Sequence, residues 1–428
     1  MRNKNLLSTL LLAGISLATA WAIRGQFGHE QGAAWAGGIG ALAIILLAKR
    51  GDWYAKVVQA TLAAAVGWGA GGMISYGIVV GYGRGVEFGN VYYGFAMLFV
   101  IGALFGLLGG GLFGLTLASS KNKPVDWPRL ITEMAAGGLI FYYFLVEQLG
   151  YLMTPPRSEA WAVCLGMAIA MLWYMIRRQF DAPLKVAVWA GLGAGFGFAF
   201  GNFLQVMGNV LAIKFNFWNV MEYAIGFFGG IGMAYGTFTS SWEHSEVTAK
   251  RRDMLVPLLL WAVFIPFIVW EQSFGGTKLS RSLEGIGYVG DTSTLIAILQ
   301  WFALLLILAA AIVVFRQVYG HKTGESAEIG YKEVFVMFLI SSGVYTLYSI
   351  IITLAFMSTY RVEQYLYILN FCIVYFFIGK VTPSWEDKGL SAKRWFLWLL
   401  LILLAIAVMT FSAINSHGEI PGAHSRFE

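Results

Sequence analysis

The sequence predicts an all-α integral membrane protein of about 13 transmembrane helices, built as three parallel four-helix repeats plus one C-terminal helix. Three observations carry that expectation: a composition dominated by apolar residues, an alternation of basic and non-basic connections, and a set of motifs that recurs along the chain. Of the 428 residues, 58% are hydrophobic and only 12% charged, against roughly a quarter charged in soluble domains. A soluble globular fold is thereby excluded. Fifty-two glycines beside nine prolines suit helices that pack backbone against backbone in a bilayer.

A span needs about 20 apolar residues, and such runs are centred near residues 13, 40, 65, 105, 140, 169, 196, 229, 264, 304, 345, 370 and 404. Basic residues collect in alternate connections: at Arg2 and Lys4, then in the segments 49–56, 121–129, 177–185, 250–252, 316–332 (with Lys322) and 380–394. By the positive-inside rule those connections and the N-terminus face the cytoplasm, and the tail beyond Phe411 faces outside, which predicts a multi-pass plasma (inner) membrane protein. The net charge of +6 thus reads as a topology ruler rather than a nucleic-acid surface. Arg2 and Lys4, the run Leu6 to Ala18 and the triplet Ala18-Thr19-Ala20 resemble a secretory signal. Membership of the first span in an internal repeat favours a retained helix.

The repeat is read from ordered matches. AWAGGIGALAI from Ala34 corresponds to AWAVCLGMAIA from Ala160, and GWGAGG from Gly67 to GLGAGF from Gly191. Polar breaks follow the same order: WAIRGQ ending at Gln26, YFLVEQ at Gln148 and FIVWEQ at Gln272. A last set comprises GLTLASS from Gly114, GTFTSSWE from Gly236 and GKVTPSWE from Gly379. Several weak matches in one order at one period define a repeat. An even number of spans per unit makes the units parallel. The expected boundaries are 1–120, 121–253 and 254–389 for the three units, 390–413 for the thirteenth helix and 414–428 for the exterior tail.

Aligning the breaks sets Gly25, Glu147 and Glu271 at one depth, with Gln26, Gln148 and Gln272 one residue further out and Arg24 beside them. Ionisable groups at membrane depth face a cavity or one another, so the expectation is one polar ring in which Arg24 pairs with Glu147 or Glu271. The segment from Gly25 to Gln31, with His29 and Glu30, resembles an interrupted or re-entrant hairpin forming the rim. Asn202, Gln205 and Asn209 share a helical face, and Glu222 with Trp218 and Tyr223 lies near the same end. Other histidines fall in loops or the tail, His244 and His321 among them, so no histidine metal site is expected. Neither glycine run carries the Lys and Ser/Thr of a phosphate-binding loop. Cys164 and Cys372 lie in apolar runs and read as buried thiols.

These features favour a transporter of a small polar solute, sugar-like or an organic acid, coupled to a proton or sodium ion, with no cofactor and no nucleic acid. Candidate solute-binding residues are Arg24, Gln26, His29, Glu30, Glu147, Gln148, Glu271, Gln272, Asn202, Gln205 and Glu222, and Glu147, Glu271 and Glu222 are the candidate proton carriers. Two other classes stay open: a membrane-embedded transferase using His29, Glu30 and Glu147 at the outer leaflet, and a structural subunit or homo-oligomer in which the polar residues lock helices together.

Overall fold

The computed structural model describes residues 2–245, 250–320 and 328–427. The side chains of Arg2 and Lys4, and all of His321 and Lys322, lie outside the described residues. The chain is all-helical, 76% of it helix, with no strands among the described residues.

In order, the helices are α1 (Arg2–Arg24), α2 (Gln31–Ala48), the short α3 (Gly51–Tyr54), α4 (Val57–Gly72), the short α5 (Gly77–Tyr82), α6 (Phe88–Ala118) and α7 (Trp127–Phe141). A π-helical segment, Tyr142–Gln148, extends α7. Then come α8 (Glu159–Arg177), α9 (Asp181–Val210), α10 (Phe217–Phe238) and α11 (Arg251–Leu259), which runs through a π-helical turn, Leu260–Phe264, into α12 (Ile265–Ser273). The amphipathic α13 (Gly276–Gly285), α14 (Thr292–Tyr319), α15 (Tyr331–Ile352), α16 (Val362–Ile378) and α17 (Ala392–Ile414) complete the chain.

Among the described residues, ten segments are long and apolar enough to cross a membrane. The runs expected near residues 65 and 370 form α4 and α16, shorter at 16 and 17 residues. The run near 229 forms α10, whose first turns carry Asn219 and Glu222. Helix ends follow local chemistry. Asp126 caps α7 by accepting from the Arg129 amide, and Asp291 caps α14 by accepting from the amides of Ser293 and Thr294.

The centre is a ring in which α1, α2, α4, α6, α9 and α10 each pack on the next and α10 closes on α1. Glycine makes these seams possible. A Cβ at Gly106 would overlap the Ala190 carbonyl across α6 and α9, and one at Gly226 would overlap the Leu17 carbonyl across α10 and α1. Inside the ring, Trp21 meets Trp68 at 4.9 Å and Phe105 at 5.4 Å. In consequence α2 is 94% buried, whereas the segment Trp127–Gln148 is only 17% buried and stands outside as a hairpin with α8.

The basic connections gather on one face of the bundle. Lys49 Nζ donates to the Gly379 carbonyl, Arg50 to the Glu243 carbonyl and Lys123 to the Gln179 carbonyl. The two Ser-Trp-Glu segments also meet there, since Trp242 and Trp385 pack edge-on against Trp53 at 5.2 and 5.6 Å. The opposite face carries the end of α1, the start of α10, α13 and the end of α15.

Candidate functional site

On that opposite face lies a cavity of about 880 Å³. Its floor is a buried ionic cluster. Arg24, at the last turn of α1, is 1% exposed because the ring closes around it. Its guanidinium Nη2 donates to Tyr76 Oη at 3.0 Å and lies 3.3 Å from Glu222 Oε2, while Nη1 is 3.2 Å from His29 Nδ1. Tyr76 donates in turn to Glu222 Oε1 at 2.5 Å. The guanidinium also sits over the Trp21 ring, 4.7 Å from its centroid. Arg24 Nε has no hydrogen-bond partner among the described residues.

The break after α1 supplies one wall. Gly28 adopts φ +90°, a left-handed conformation that glycine tolerates, and the turn inserts Phe27 fully into the core against Tyr345. The re-entrant hairpin expected here is a compact turn from Gly25 to Glu30. It presents Gln26 and His29 to the cavity. Burial, and then the Arg24 charge, push the His29 imidazole below its ordinary range. Neutral His29, accepting from Arg24 at Nδ1, carries its proton on Nε2.

The other walls come from α13, the end of α15 and the segment before α16. Leu279 and Leu283 anchor α13, and its other face gives Lys278, Arg281 and Ser282 to the cavity. Lys278 Nζ donates to the Gln26 carbonyl at 2.6 Å, and the Gln26 amide donates to Ser349 Oγ at 3.0 Å. Behind Arg361, buried Glu363 accepts from Arg361, from Asn216 at 3.1 Å and from Asn219. Arg24, Lys278, Arg281 and Arg361 thus face the space against Glu222, and with Glu363 counted two positive charges remain in excess. Trp218 and Tyr360, 45% and 80% exposed, add aromatic faces.

Of the residues expected at the site, Arg24, Gln26, His29 and Glu222 line this cavity. Gln272 lies close to Gly28 but not on the lining, and Glu271 and Glu30 are exposed away from it. Glu147 and Gln148 are exposed on the outer hairpin, where Glu147 accepts from Tyr142 at 2.5 Å. The three breaks therefore do not form one ring, and Arg24 pairs with Glu222 rather than with Glu147 or Glu271. Motif order along the chain does not fix the direction a helix faces, and α7 stands outside the central ring. Asn202 and Gln205 bond each other at 3.0 Å within α9, apart from the cavity.

Tyr76, Lys278, Arg281, Arg361 and Glu363 were not singled out from the sequence. The spacing of Lys278 and Arg281 on an amphipathic segment is the one local signal that pointed to them. Comparison with protein-family profiles, with curated proteins and with solved structures gives no match to this chain.

Proposed function

We propose that the protein is a multi-pass transporter whose cavity binds a small anionic solute, a sugar-like acid or another hydroxylated organic acid. The observation that carries this reading is the buried Arg24, with an unfilled donor, at the floor of a polar cavity holding surplus positive charge. An anion supplies the missing acceptor and charge together. Trp218 and Tyr360 suit the apolar ring faces of a hydroxylated solute, and Asn216, Asn219 and Ser282 suit its hydroxyls. Glu222 is the carboxylate placed to exchange a proton with the cavity, since it alone of the three candidate carriers lines it.

In this reading 13 helices cross the plasma membrane as three parallel four-helix units and a last helix. The N-terminus is cytoplasmic, and the cavity and C-terminal tail face outside. Support comes from the clustering of the basic connections on the face opposite the cavity. A π-helical segment in each helix, spanning YFLVEQ in the second unit and just preceding FIVWEQ in the third, supports the pairing of those units.

The test is a thermal-shift series on purified protein with sugar acids, simple organic acids and neutral sugars, because a ligand of the folded state raises its melting point by mass action. Acidic solutes should stabilise, and Arg281→Gln with Lys278→Gln should weaken them at least tenfold. Stabilisation by neutral sugars alone would sink the reading.

A further inference from the structure

A second, small cavity of about 20 Å³ lies at mid-helix where α1, α15 and α16 pack together. It is the size of one water molecule. Its polar lining consists of Ser16 and Thr19 on α1, Ser342, Tyr345 and Thr346 on α15, and Asn370 on α16. Neither a carboxylate, a histidine nor a cysteine lines it.

What distinguishes this cavity is where the hydrogens go. Ser16 donates to the Leu12 carbonyl, Thr19 to Ile15, Ser342 to Phe338 and Thr346 to Ser342, each one turn back on its own helix. Tyr345 donates to the Gly32 carbonyl at 2.8 Å. Both protons of the Asn370 amide are also placed, on Thr19 Oγ1 at 3.1 Å and on Tyr223 Oη at 3.2 Å. Every donor of the lining is therefore already engaged, that of Asn370 to Thr19 within the lining itself. What remains for an occupant is oxygen lone pairs, from several hydroxyls and one amide carbonyl.

A buried water in such a cage could donate two hydrogen bonds but would receive none, short of the roughly three partners that ordered buried waters hold. A cation needs acceptors only. Hard oxygen ligands select an alkali or alkaline-earth ion, and the lack of any carboxylate disfavours the divalent ones, which are held by charged oxygens. The small volume favours sodium over potassium.

We infer that the cavity between α1, α15 and α16 is a sodium site. The site stands on its own geometry, and its role as the coupling site rests on the transporter reading. Thr19 lies five residues before Arg24 on α1, about 7.5 Å along the axis, so the sodium site is little more than one helical turn deeper than the Arg24 cluster. The chain from Gln26 to Ser349 and from Ser349 Oγ to Gln364 Oε1 at 2.6 Å ties the same three helices together at the cavity wall.

The test uses the purified full-length protein with no organic solute, melted in sodium, potassium and choline chloride at equal ionic strength. Sodium should raise the melting temperature by several degrees, growing with the logarithm of its concentration, and choline should not. Thr346→Val, which keeps shape but removes the oxygen, should weaken the apparent sodium affinity at least tenfold, and Thr346→Ser should retain it. If Thr346→Val does not fold, Ser342→Ala provides the same reading. Equal melting in all three salts would mean a buried water only, and a sodium shift untouched by these variants would place the ion elsewhere; either result overturns the assignment. A sodium shift without any effect of organic acids would keep this site and reject the anionic-solute reading instead.

Discussion

Replacing Glu222 by glutamine separates two consequences of the Arg24 cluster that have opposite signs. Arg24 and Glu222 have side chains 1% and 5% exposed, and their charges meet at 3.3 Å. Removing one partner of a buried pair costs about 3–5 kcal/mol because it strands the other charge. The glutamine amide still offers Tyr76 an acceptor, and the cavity admits water to one edge, so the lower end, about 3 kcal/mol, is expected. That is roughly a hundredfold or more in an unfolding equilibrium, at 1.4 kcal/mol per factor of ten. The assay is inactivation at fixed temperature in one detergent, since polytopic proteins commonly unfold irreversibly and a rate is the operational quantity. Arg24→Met combined with Glu222→Met should recover most of the loss, because no charge is left stranded. Affinity should move the other way. With the carboxylate gone, the positive excess rises from two to three, so Glu222→Gln should bind an anionic solute more tightly. Unchanged stability in Glu222→Gln, or a double variant no better than the single one, would refute the buried-pair argument. Lost stability without a gain in anion affinity would leave the cluster as a structural lock.

Gly106→Ala should destabilise by about 3 kcal/mol, because the new methyl meets the Ala190 backbone, whereas Gly89→Ala on the same helix meets nothing within 4 Å and should be neutral in the same inactivation assay. Because His29 is held below its ordinary pKa, the folded state binds fewer protons than the unfolded one below about pH 6.5, so without solute its stability falls as pH falls through that value. A bound anion favours the imidazolium and raises that pKa, so anion affinity should increase as pH drops below 7, and a titration series on His29→Gln should be flatter. Labelling of single-cysteine variants in intact cells should find Ser416 accessible and Ser241 protected; the reverse pattern would invert the proposed topology.

The helical segments were legible in the sequence because an apolar run long enough to span a bilayer leaves the backbone one way to satisfy its hydrogen bonds. The glycine rows were legible as packing surfaces for a related reason: Gly102 to Gly114 recur on the faces that α6 turns to its neighbours. The site was only half legible. Arg24, His29 and Glu222 are conspicuous because charge inside an apolar run is costly, but which carboxylate meets Arg24 depends on helix rotation and neighbour order. Glu271 is exposed away from the cavity, while Glu222, far along the chain on α10, closes the pair through Tyr76. Glu363 and Arg361 escaped notice because they stand at a helix start, where such residues are usually solvated. Only the burial of Glu363 against Asn216 and Asn219, with Arg361 paired to it, gives them a place in the site.

The two sides of the solute cavity are held together by different physics, and that difference locates the boundary across which a transport cycle would work. One side belongs to the central ring, whose helices meet backbone to backbone through glycine, so separating any two of them would open a long seam of close contacts. The other side, α13, the end of α15 and the start of α16, joins the ring with no comparable glycine seam, through polar bonds (Lys278 to the Gln26 carbonyl, Gln26 to Ser349, Asn216 and Asn219 to Glu363) and through the ring contacts of Phe27 and Trp35 with Tyr345. Each polar bond is worth about 1 kcal/mol net, somewhat more where charged. Parting the outer layer from the ring is therefore the less costly movement, and the small cavity between α1, α15 and α16 lies on that boundary. Cysteines in place of Gln26 and Ser349, bridged by a short bis-thiol reagent, should abolish uptake while leaving solute-induced thermal stabilisation intact, and reduction of a cleavable bridge should restore uptake. Full uptake with the bridge in place would show that the moving boundary runs elsewhere.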